Sequence, residues 1–301
     1  MSVGQKHLTK TNINTIMRSF ITKMYNISCL RYVVVSICDL CNMQCITCPH
    51  SIKEWRDSHT DIMTKDTAIV LKTRLLEIMY KGIVSISGMG EPLMNKDVRD
   101  IISILSRDRL YQLQIITNGY CLLGKDNDLV DFLLDHCDKI YISIHDMNKE
   151  YDLFKKYEKL SKKIELRNHD ISRLNSTLLA TNRGGTMCKN IERKERCYYP
   201  YYEIAIDCLG NYLWCAHDFG KKSVQNKWNI HEMGIEDYFI NATKDKKMKM
   251  HTMDGQLDEP CKYCDCLGFL DGRNEYDEFV KHFCKKEGSS WLNLLQKYLK
   301  I

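Results

Sequence analysis

Residues 32–48 read Tyr32-Val-Val-Val-Ser-Ile37-Cys38-Asp-Leu-Cys41-Asn-Met-Gln-Cys45-Ile-Thr-Cys48. The first six residues are mostly apolar and rich in β-branched side chains, which predicts a short buried strand. The last three cysteines follow in the spacing C-x3-C-x2-C, on what we expect to be a loop. Soft thiolates grouped in this way favour an iron–sulfur cluster or zinc. The pattern therefore predicts a strand that leads into a three-cysteine loop.

This strand is the first of six predicted strands that alternate with helices. The predicted strands are 32–37, 82–87, 112–116, 139–144, 164–167 and 177–180, and the helices are 65–80, 97–106, 127–136 and 151–162. Such alternation predicts an α/β fold with a parallel sheet or partial barrel and helices outside. A further helix, 290–299, is expected near the end of the chain to pack its apolar face on the domain.

Small, polar and charged residues follow these strands at the same predicted edge of the sheet. They are Gly88-Met89-Gly90-Glu91 after the second strand, Thr117-Asn118-Gly119 after the third, Ser143 and His145 at the fourth, Arg167 at the fifth and Asn182-Arg183 after the sixth. In β/α barrels the chemistry gathers at the carboxyl ends of the strands. We therefore expect these residues to surround one site.

A second cysteine set lies in the last third of the chain, at Cys197, Cys215, Cys261 and Cys264. Four thiolates around a cubic cluster leave no iron open, whereas three leave one open. The two sets thus predict one cluster that does chemistry and one that is fully ligated by protein. Residues 186–275 lack the helix–strand alternation, which predicts a small domain organised by metal rather than by an apolar core.

Zinc is the alternative for both sets. Cys38 and Cys41, with Cys45 and Cys48, could form two C-x2-C pairs. Only three residues separate those pairs, whereas zinc ribbons separate them by more. A structural zinc at the second set also remains open, and with it a non-catalytic zinc-binding interaction protein.

Composition limits the compartment and the partners. The 301 residues include 15 cysteines, and 44% are hydrophobic. Residues 1–30 show no secretory signal, and no window approaches the roughly 18 apolar residues of a spanning helix. We therefore predict a cytoplasmic protein with reduced thiols and no membrane partner.

The charge of the chain gives little support to a nucleic-acid partner. The formal net charge is +5, and seven thiolates binding two clusters of charge 2+ would lower it to about +2. The lysine-rich run 244–249 is predicted to be a solvated helix face.

The three-cysteine loop after the first strand, with Asn42 and Met43, resembles the radical S-adenosylmethionine (radical SAM) superfamily, as does Gly88-Met-Gly-Glu-Pro92. The resemblance implies a [4Fe–4S] cluster on Cys41, Cys45 and Cys48, whose open iron is chelated by SAM. One electron then cleaves SAM to a 5′-deoxyadenosyl radical that takes a hydrogen atom from substrate. An aromatic residue often precedes the last cysteine in the family, and Thr47 stands there instead.

The resemblance also implies which residues form the SAM pocket. Backbone and side-chain groups of Gly88, Met89, Gly90, Glu91 and Asn118 would face the cofactor. Ser143 would contact the ribose or carboxylate of SAM, and Arg167 the carboxylate, since a guanidinium offers two parallel donors. His145 is a candidate acid–base group.

The second cysteine set resembles the auxiliary-cluster domains called SPASM and twitch. The matching pieces are Cys197-x12-Gly210-x4-Cys215 and Cys261-x2-Cys264, with residues 182–185 and 228–230. A full SPASM domain needs C-x2-C-x5-C-x3-C, but Leu270 occupies the third position. The resemblance therefore implies the shorter twitch form with one auxiliary [4Fe–4S] cluster. Cys208, Cys266 and Cys284 remain possible extra ligands.

The expected organisation has four parts: an N-terminal extension (1–30), a partial (β/α)6 TIM-like barrel (31–185), the auxiliary-cluster domain (186–275) and a C-terminal helix (276–301). Similarity to twitch-bearing scyllo-inosamine dehydrogenases implies an oxidoreductase acting on an alcohol of a sugar- or cyclitol-like metabolite. Arg183 is the candidate base or substrate anchor, and flavodoxin or ferredoxin the candidate reductant. Radical modification of a peptide or protein is the alternative.

Overall fold

One seven-stranded, mostly parallel sheet with helices around it forms the body of the protein. The computed structural model describes residues 27–124, 128–168, 181–189, 191–225, 227–253, 257–268 and 272–284. The strands are β1 (Tyr32–Val35), β2 (Ile83–Ile86), β3 (Gln112–Thr117), β4 (Lys139–Ile144), β5 (Ile164–Asn168), β6 (Glu203–Ile206) and β7 (Tyr212–Leu213). The predicted strand 177–180, the predicted helix 290–299 and residues 1–26 of the extension lie outside the described residues.

The helices lie between the strands, as the alternation predicted. They are α1 (Lys53–Ser58), α2 (Lys65–Glu77), α3 (Val98–Ser106), α4 (Asp128–His136), α5 (Tyr151–Glu158), α6 (Tyr199–Tyr202), α7 (Ile235–Asp237), α8 (Lys244–Thr252) and α9 (Arg273–Phe283). Helix α2 ends three residues earlier than predicted because the chain turns at Met79, which has φ +46°. Within the described residues, no helix has the length and apolar character needed to cross a bilayer.

The strand order is β5-β4-β3-β2-β1-β6-β7, and all neighbours are parallel except the β6–β7 hairpin. The first five strands therefore follow one another across the sheet, each joined to the next by a helical crossover. Val33 lies opposite Val84 on one side and Ile204 on the other, so β1 is central and buried. This arrangement confirms the predicted α/β partial barrel.

The segment 186–275 contributes a strand and aromatic side chains to the barrel. Strand β6 continues the barrel sheet by pairing with β1 in parallel. Its aromatic side chains fill the same apolar core as the barrel, and Tyr201, Tyr202, Tyr212 and Tyr238 are each less than 2% exposed. Burial of four large rings contributes substantial hydrophobic stabilisation without metal.

The prediction that the lysine-rich run 244–249 forms a solvated helix face is wrong. It forms most of α8, but Lys246 and Lys247 are only 6% and 4% exposed. The Lys247 ammonium donates to the Phe239 carbonyl (2.6 Å), which offsets part of the cost of its burial. Lys244 is exposed as predicted.

A buried ion cluster joins β1 to β6. Asp39 follows β1 and Asp207 follows β6, and both are fully buried. The Lys221 ammonium lies 2.8 Å from one Asp39 oxygen and 3.6 Å from one Asp207 oxygen. Burial alone would lower the pKa of Lys221, but Asp39 and then Asp207 raise it. Lys221 is therefore the cation that allows two carboxylates to sit beneath the cysteine loop.

We predict that Lys221→Met destabilises the fold by about 3–5 kcal/mol, because it leaves two buried carboxylates without a counter-ion. Urea unfolding followed by circular dichroism measures the change. The matched control is Lys222→Met at the exposed neighbouring position, expected to fall within about 0.5 kcal/mol of wild type. Equal effects of the two substitutions would show that the ion cluster contributes nothing.

Candidate functional site

A cavity of about 570 Å³ opens at the carboxyl edge of the sheet. Its walls contain most of the residues that the strand-end pattern and the first cysteine loop singled out: Cys41, Cys45, Cys48, Gly88, Met89, Gly90, Glu91, Thr117, Asn118, Ser143, His145, Arg167 and Arg183. Gly119 and Asn182, which the pattern also named, are not among the lining residues. The parallel sheet brings the lining residues together because successive strands all end at this edge. The volume is in the range of small-molecule and cofactor sites.

The three-cysteine loop lies on one wall of the cavity. Cys41 Sγ accepts a hydrogen bond from the Met43 backbone N–H (3.4 Å) and lies 3.8 Å from Asn118 Nδ2. Burial, and then the neighbouring Cys48 and Cys41, raise the pKa of the Cys45 thiol to about 12. The three thiols line one cavity, and soft thiolate donors of this kind suit a metal cluster.

The glycine turn after β2 packs directly under this loop. A Cβ on Gly90 would lie 2.4 Å from the Leu40 carbonyl oxygen, so only glycine permits this approach. The Met89 N–H donates to Ser36 Oγ (3.3 Å), and the Met89 carbonyl oxygen lies 2.9 Å from His50 Nε2. His50 lines the cavity and was missed by the sequence reasoning, which had no pattern to connect it with the turn.

Glu91 holds two turns together. Its carboxylate accepts from the Leu93 N–H (3.0 Å), the Thr117 hydroxyl (2.6 Å) and the Asn118 N–H (2.7 Å). The Asn118 amide in turn donates to Asn42 Oδ1 (2.6 Å) in the cysteine loop. Burial raises the pKa of Glu91, although the three donors oppose that shift. The carboxylate therefore fixes Asn118 in place, and its bonds go to the chain itself.

The wall formed by β4 and β5 carries the remaining polar residues. The Arg167 guanidinium stacks 3.2 Å from the centre of the Tyr141 ring, and Ser143 is buried beside it. The His145 backbone N–H donates to Glu150 (2.7 Å), while burial, reinforced by Arg183, lowers the pKa of the His145 imidazole. The ring is consequently neutral at physiological pH and can accept as well as donate.

Arg183 lies in a turn that connects the two cysteine sets. Its backbone is left-handed (φ +50°), and its Nε donates to the Thr47 carbonyl (3.3 Å) in the first loop. The Asn182 amide donates to the Tyr263 carbonyl (2.5 Å), and the Asn182 N–H donates to Asp265 (2.9 Å). A guanidinium stays protonated in proteins, so Arg183 can orient a ligand but is a poor proton acceptor.

The floor of the cavity consists of residues that the sequence reasoning missed. Glu203 is 6% exposed and accepts from the Ala216 N–H (3.0 Å), and burial raises the pKa of its carboxyl to about 8. Tyr202 lines the same floor and is fully buried. Burial lowers the pKa of His217 to about 3. The sequence reasoning did not connect these residues with the site because it did not predict strand β6.

The second cysteine set lies in the core behind this floor. Cys197, Cys215, Cys261 and Cys264 are all at most 7% exposed. Burial, opposed by Arg193, raises the pKa of Cys197, and the nearby Cys261 and Cys264 raise it further. Among the described residues, no three His, Cys, Asp or Glu side chains converge as ligands of one metal ion.

The three spare cysteines occupy different surroundings. Cys266 adjoins the second set: its charge environment includes Cys264, and its Sγ lies 3.4 Å from His217 Nε2. Cys208 instead donates to Asp39 (3.3 Å) beneath the first loop. Cys284 lies 3.6 Å from the Met248 sulfur. Cys266 is therefore the spare thiol that adjoins both the second set and the cavity.

The chain is similar to known proteins in its barrel and, for some of them, over most of its length. The family description "Radical SAM superfamily" matches residues 35–185. A relative named probable GTP 3′,8-cyclase from Methanocaldococcus jannaschii is 33% identical over 132 residues, which cover 43% of this chain and 41% of that protein. The S-adenosyl-L-methionine-dependent 2-deoxy-scyllo-inosamine dehydrogenase of Niallia circulans is 27% identical over 81% of this chain and 96% of its own length.

Among solved structures, a crystal structure of BtrN in complex with AdoMet and 2-DOIA matches with a TM-score of 0.65 and 25% sequence identity. The match covers 81% of this chain and 96% of BtrN, so it includes the segment after residue 185. The family match spans half of the chain, and it coincides with the cysteine loop and the cavity. The chain belongs to the radical SAM superfamily of enzymes, which work with SAM and a [4Fe–4S] cluster.

Proposed function

We propose that this enzyme oxidises a secondary alcohol on a polar cyclitol- or sugar-like metabolite. The observation that carries the proposal is the likeness to the 2-deoxy-scyllo-inosamine dehydrogenase over 96% of that protein's length. The cavity fits it, because the cysteine loop forms one wall and buried polar groups form the floor. By contrast, the cyclase relative matches over 41% of its length only.

The first wall of the cavity would hold the SAM cluster and SAM. We assign Cys41, Cys45 and Cys48 as the cluster ligands, since their thiols share the cavity with the glycine turn. Gly88, Met89, Gly90, Asn118, Ser143 and Arg167 would face SAM. Glu91 would act as a positioning residue, because its carboxylate already binds both turns.

The second cysteine set would hold one auxiliary [4Fe–4S] cluster in a twitch-type arrangement. Its four thiols are buried together in the apolar core. The site is closed by protein, so a cluster there would have no iron open to SAM. An external one-electron donor such as flavodoxin or ferredoxin, in the reducing cytoplasm, would start each turnover.

Oxidation of an alcohol removes a hydrogen atom from carbon, a proton from oxygen and one further electron. When bound, SAM and the clusters supply the radical that takes the hydrogen atom and the acceptor for that electron. The chain must accept the proton, and Glu203 is the carboxyl in the cavity floor that can do so. Arg183 would donate to the substrate oxygen, and neutral His145 would complete the polar contacts.

We predict that reconstituted enzyme with SAM and dithionite converts aminocyclitols or related polyols to ketones. Each ketone should be matched by one 5′-deoxyadenosine, because one hydrogen atom is removed for each product. Liquid chromatography with mass spectrometry quantifies both, with 2-deoxy-scyllo-inosamine as the first substrate. Formation of 5′-deoxyadenosine with no carbonyl product from any polyol would contradict the proposal.

We predict about eight iron atoms per chain after anaerobic reconstitution, as two [4Fe–4S] clusters require. Cys45→Ala should leave about four and abolish SAM cleavage, because one ligand of the open cluster is lost. Cys215→Ala should also leave about four while SAM cleavage persists. Cys188→Ala at an exposed cysteine is the control and should keep full iron. Bound zinc in place of iron would overturn both assignments.

We predict that Glu203→Gln lowers ketone formation about 10²–10⁴-fold, the usual contribution of a general base. The amide oxygen can still accept from the Ala216 N–H, so the fold should persist. With substrate deuterated at the carbinol carbon, deuterium should still reach 5′-deoxyadenosine. Because burial raises the pKa of Glu203 to about 8, the wild-type rate should rise with pH through that value as the base form accumulates.

The variant should lose this pH dependence. Glu165→Gln, at an exposed position on β5, is the matched control and should behave as wild type. An unchanged ketone yield in Glu203→Gln would remove Glu203 from the proton pathway.

A further inference from the structure

Lys246 is a buried ammonium without a hydrogen-bond partner. The residue is 6% exposed, and its Nζ makes no hydrogen bond within the described ranges. The ammonium lies over the Trp214 ring, whose centre is 3.6 Å away. Burying a charge is costly unless an opposite charge or hydrogen bonds compensate it. The aromatic face compensates only in part, so the site calls for an anion.

The other lysines of α8 differ from Lys246 in this respect. Lys247 donates to the Phe239 carbonyl (2.6 Å), and Lys249 pairs with Asp258 (2.7 Å). Lys244 is exposed to solvent. Lys246 is thus the lysine of this run that is buried without a hydrogen bond in the described chain, although its charge also acts on the buried Glu203 carboxyl.

Helix α8 packs against the second cysteine set. The Cys197 N–H donates to the Met250 sulfur (3.3 Å), and the Tyr201 hydroxyl donates to the Lys247 carbonyl (2.8 Å). Trp214, over which the Lys246 ammonium lies, is the residue before Cys215. Lys246 is close enough to the Cys215 and Cys261 thiols for its charge to act on both.

Arg193 is the second cation beside the set, and three of its five N–H groups bind backbone carbonyls. It donates to the backbone carbonyls of Cys261 (3.1 Å), Cys266 and Glu195 (3.2 Å), which ties the loops together. A cubane of charge 2+ on four thiolates carries a net charge of 2−. Arg193 and Lys246 together would neutralise that charge, and the Lys246 ammonium makes no hydrogen bond within the described residues.

We propose that Lys246 is the counter-charge of the auxiliary cluster and raises its reduction potential. Charge and hydrogen bonding around a cluster set that potential. A nearby cation favours the reduced, more negative cluster, which makes it a better acceptor for the electron left on the oxidised substrate. This inference rests on the proposed function, because it requires a cluster on Cys197, Cys215, Cys261 and Cys264.

The test measures the potential of the auxiliary cluster in the full-length reconstituted enzyme by redox titration with electron paramagnetic resonance. SAM is present, because it binds only the open cluster and so identifies that cluster's signal. Lys246→Met keeps the apolar stem and removes the charge, whereas Lys246→Arg keeps the charge. Lys249→Met, on the outer side of the same helix, is the control.

In Lys246→Met we expect the ratio of reduced to oxidised auxiliary cluster at a given potential to fall about tenfold, a shift of about 59 mV for one electron. Lys246→Arg, Lys249→Met and the SAM-binding cluster should stay close to wild type. An unchanged potential in Lys246→Met with full iron content would overturn the proposal. Absence of a second cluster in the wild type would instead contradict the proposed function.

A second measurement covers the case in which Lys246→Met fails to retain iron. At pH 7, where most of the Glu203 carboxyl (pKa about 8) is protonated, the ammonium of the iron-free full chain lacks the negative charge of a cluster, so Lys246→Met should raise the midpoint of thermal unfolding. A residue with a purely structural role would lower that midpoint when replaced. A lower midpoint in the iron-free chain would therefore reject the counter-charge role.

Discussion

The parallel pairing of β6 with β1 is the constraint on which the site depends. This pairing places Ile204 beside Val33, so the segments that follow β1 and β6 leave the sheet side by side at its carboxyl edge. The first cysteine loop leaves β1 there, and the hairpin that leads to Cys215 leaves β6. Asp39 follows β1, Asp207 follows β6, and the Lys221 ammonium pairs with both carboxylates. The two cysteine sets are thus held at a defined separation by one buried strand pair and one buried ion cluster.

Within the cavity, rigidity comes from hydrogen bonds that the chain makes with itself. The Glu91 carboxylate joins the turns after β2 and β3, and Asn118 carries the connection to the cysteine loop. Groups held in this way need little reorganisation when a cofactor binds, and this lowers the entropic cost of binding. The same logic explains Asn182, which fixes the turn of Arg183 to the loop of the second cysteine set.

The sequence predicted the barrel well, because periodicity identifies strands, and parallel strands bring the residues at their carboxyl ends to one edge of the sheet. The sequence failed to predict features that depend on contacts between residues distant in the chain. Residues 198–206 contain four tyrosines and a proline before a four-residue strand, so the pattern was lost and Glu203 with it. Lys246 was misassigned because a lysine-rich helix is usually solvated. Its burial depends on Trp214 and the cysteines around it, which are distant in sequence.

Three consecutive residues connect the two ends of the proposed reaction. Cys215 belongs to the second cysteine set, the Ala216 N–H holds Glu203, and His217 lines the cavity beside Cys266. If the alcohol oxygen faces Glu203, its proton would pass to Glu203 and its electron to the cluster on Cys215. Both acceptors are therefore held by the segment 215–217. Lys246 acts on both partners, since its charge lowers the pKa of Cys215 and of Glu203 against the effect of burial. One segment and one cation thus hold both the proton acceptor and the electron acceptor. This arrangement favours loss of the proton and the electron from the same side of the substrate, and ketone formation requires the loss of both.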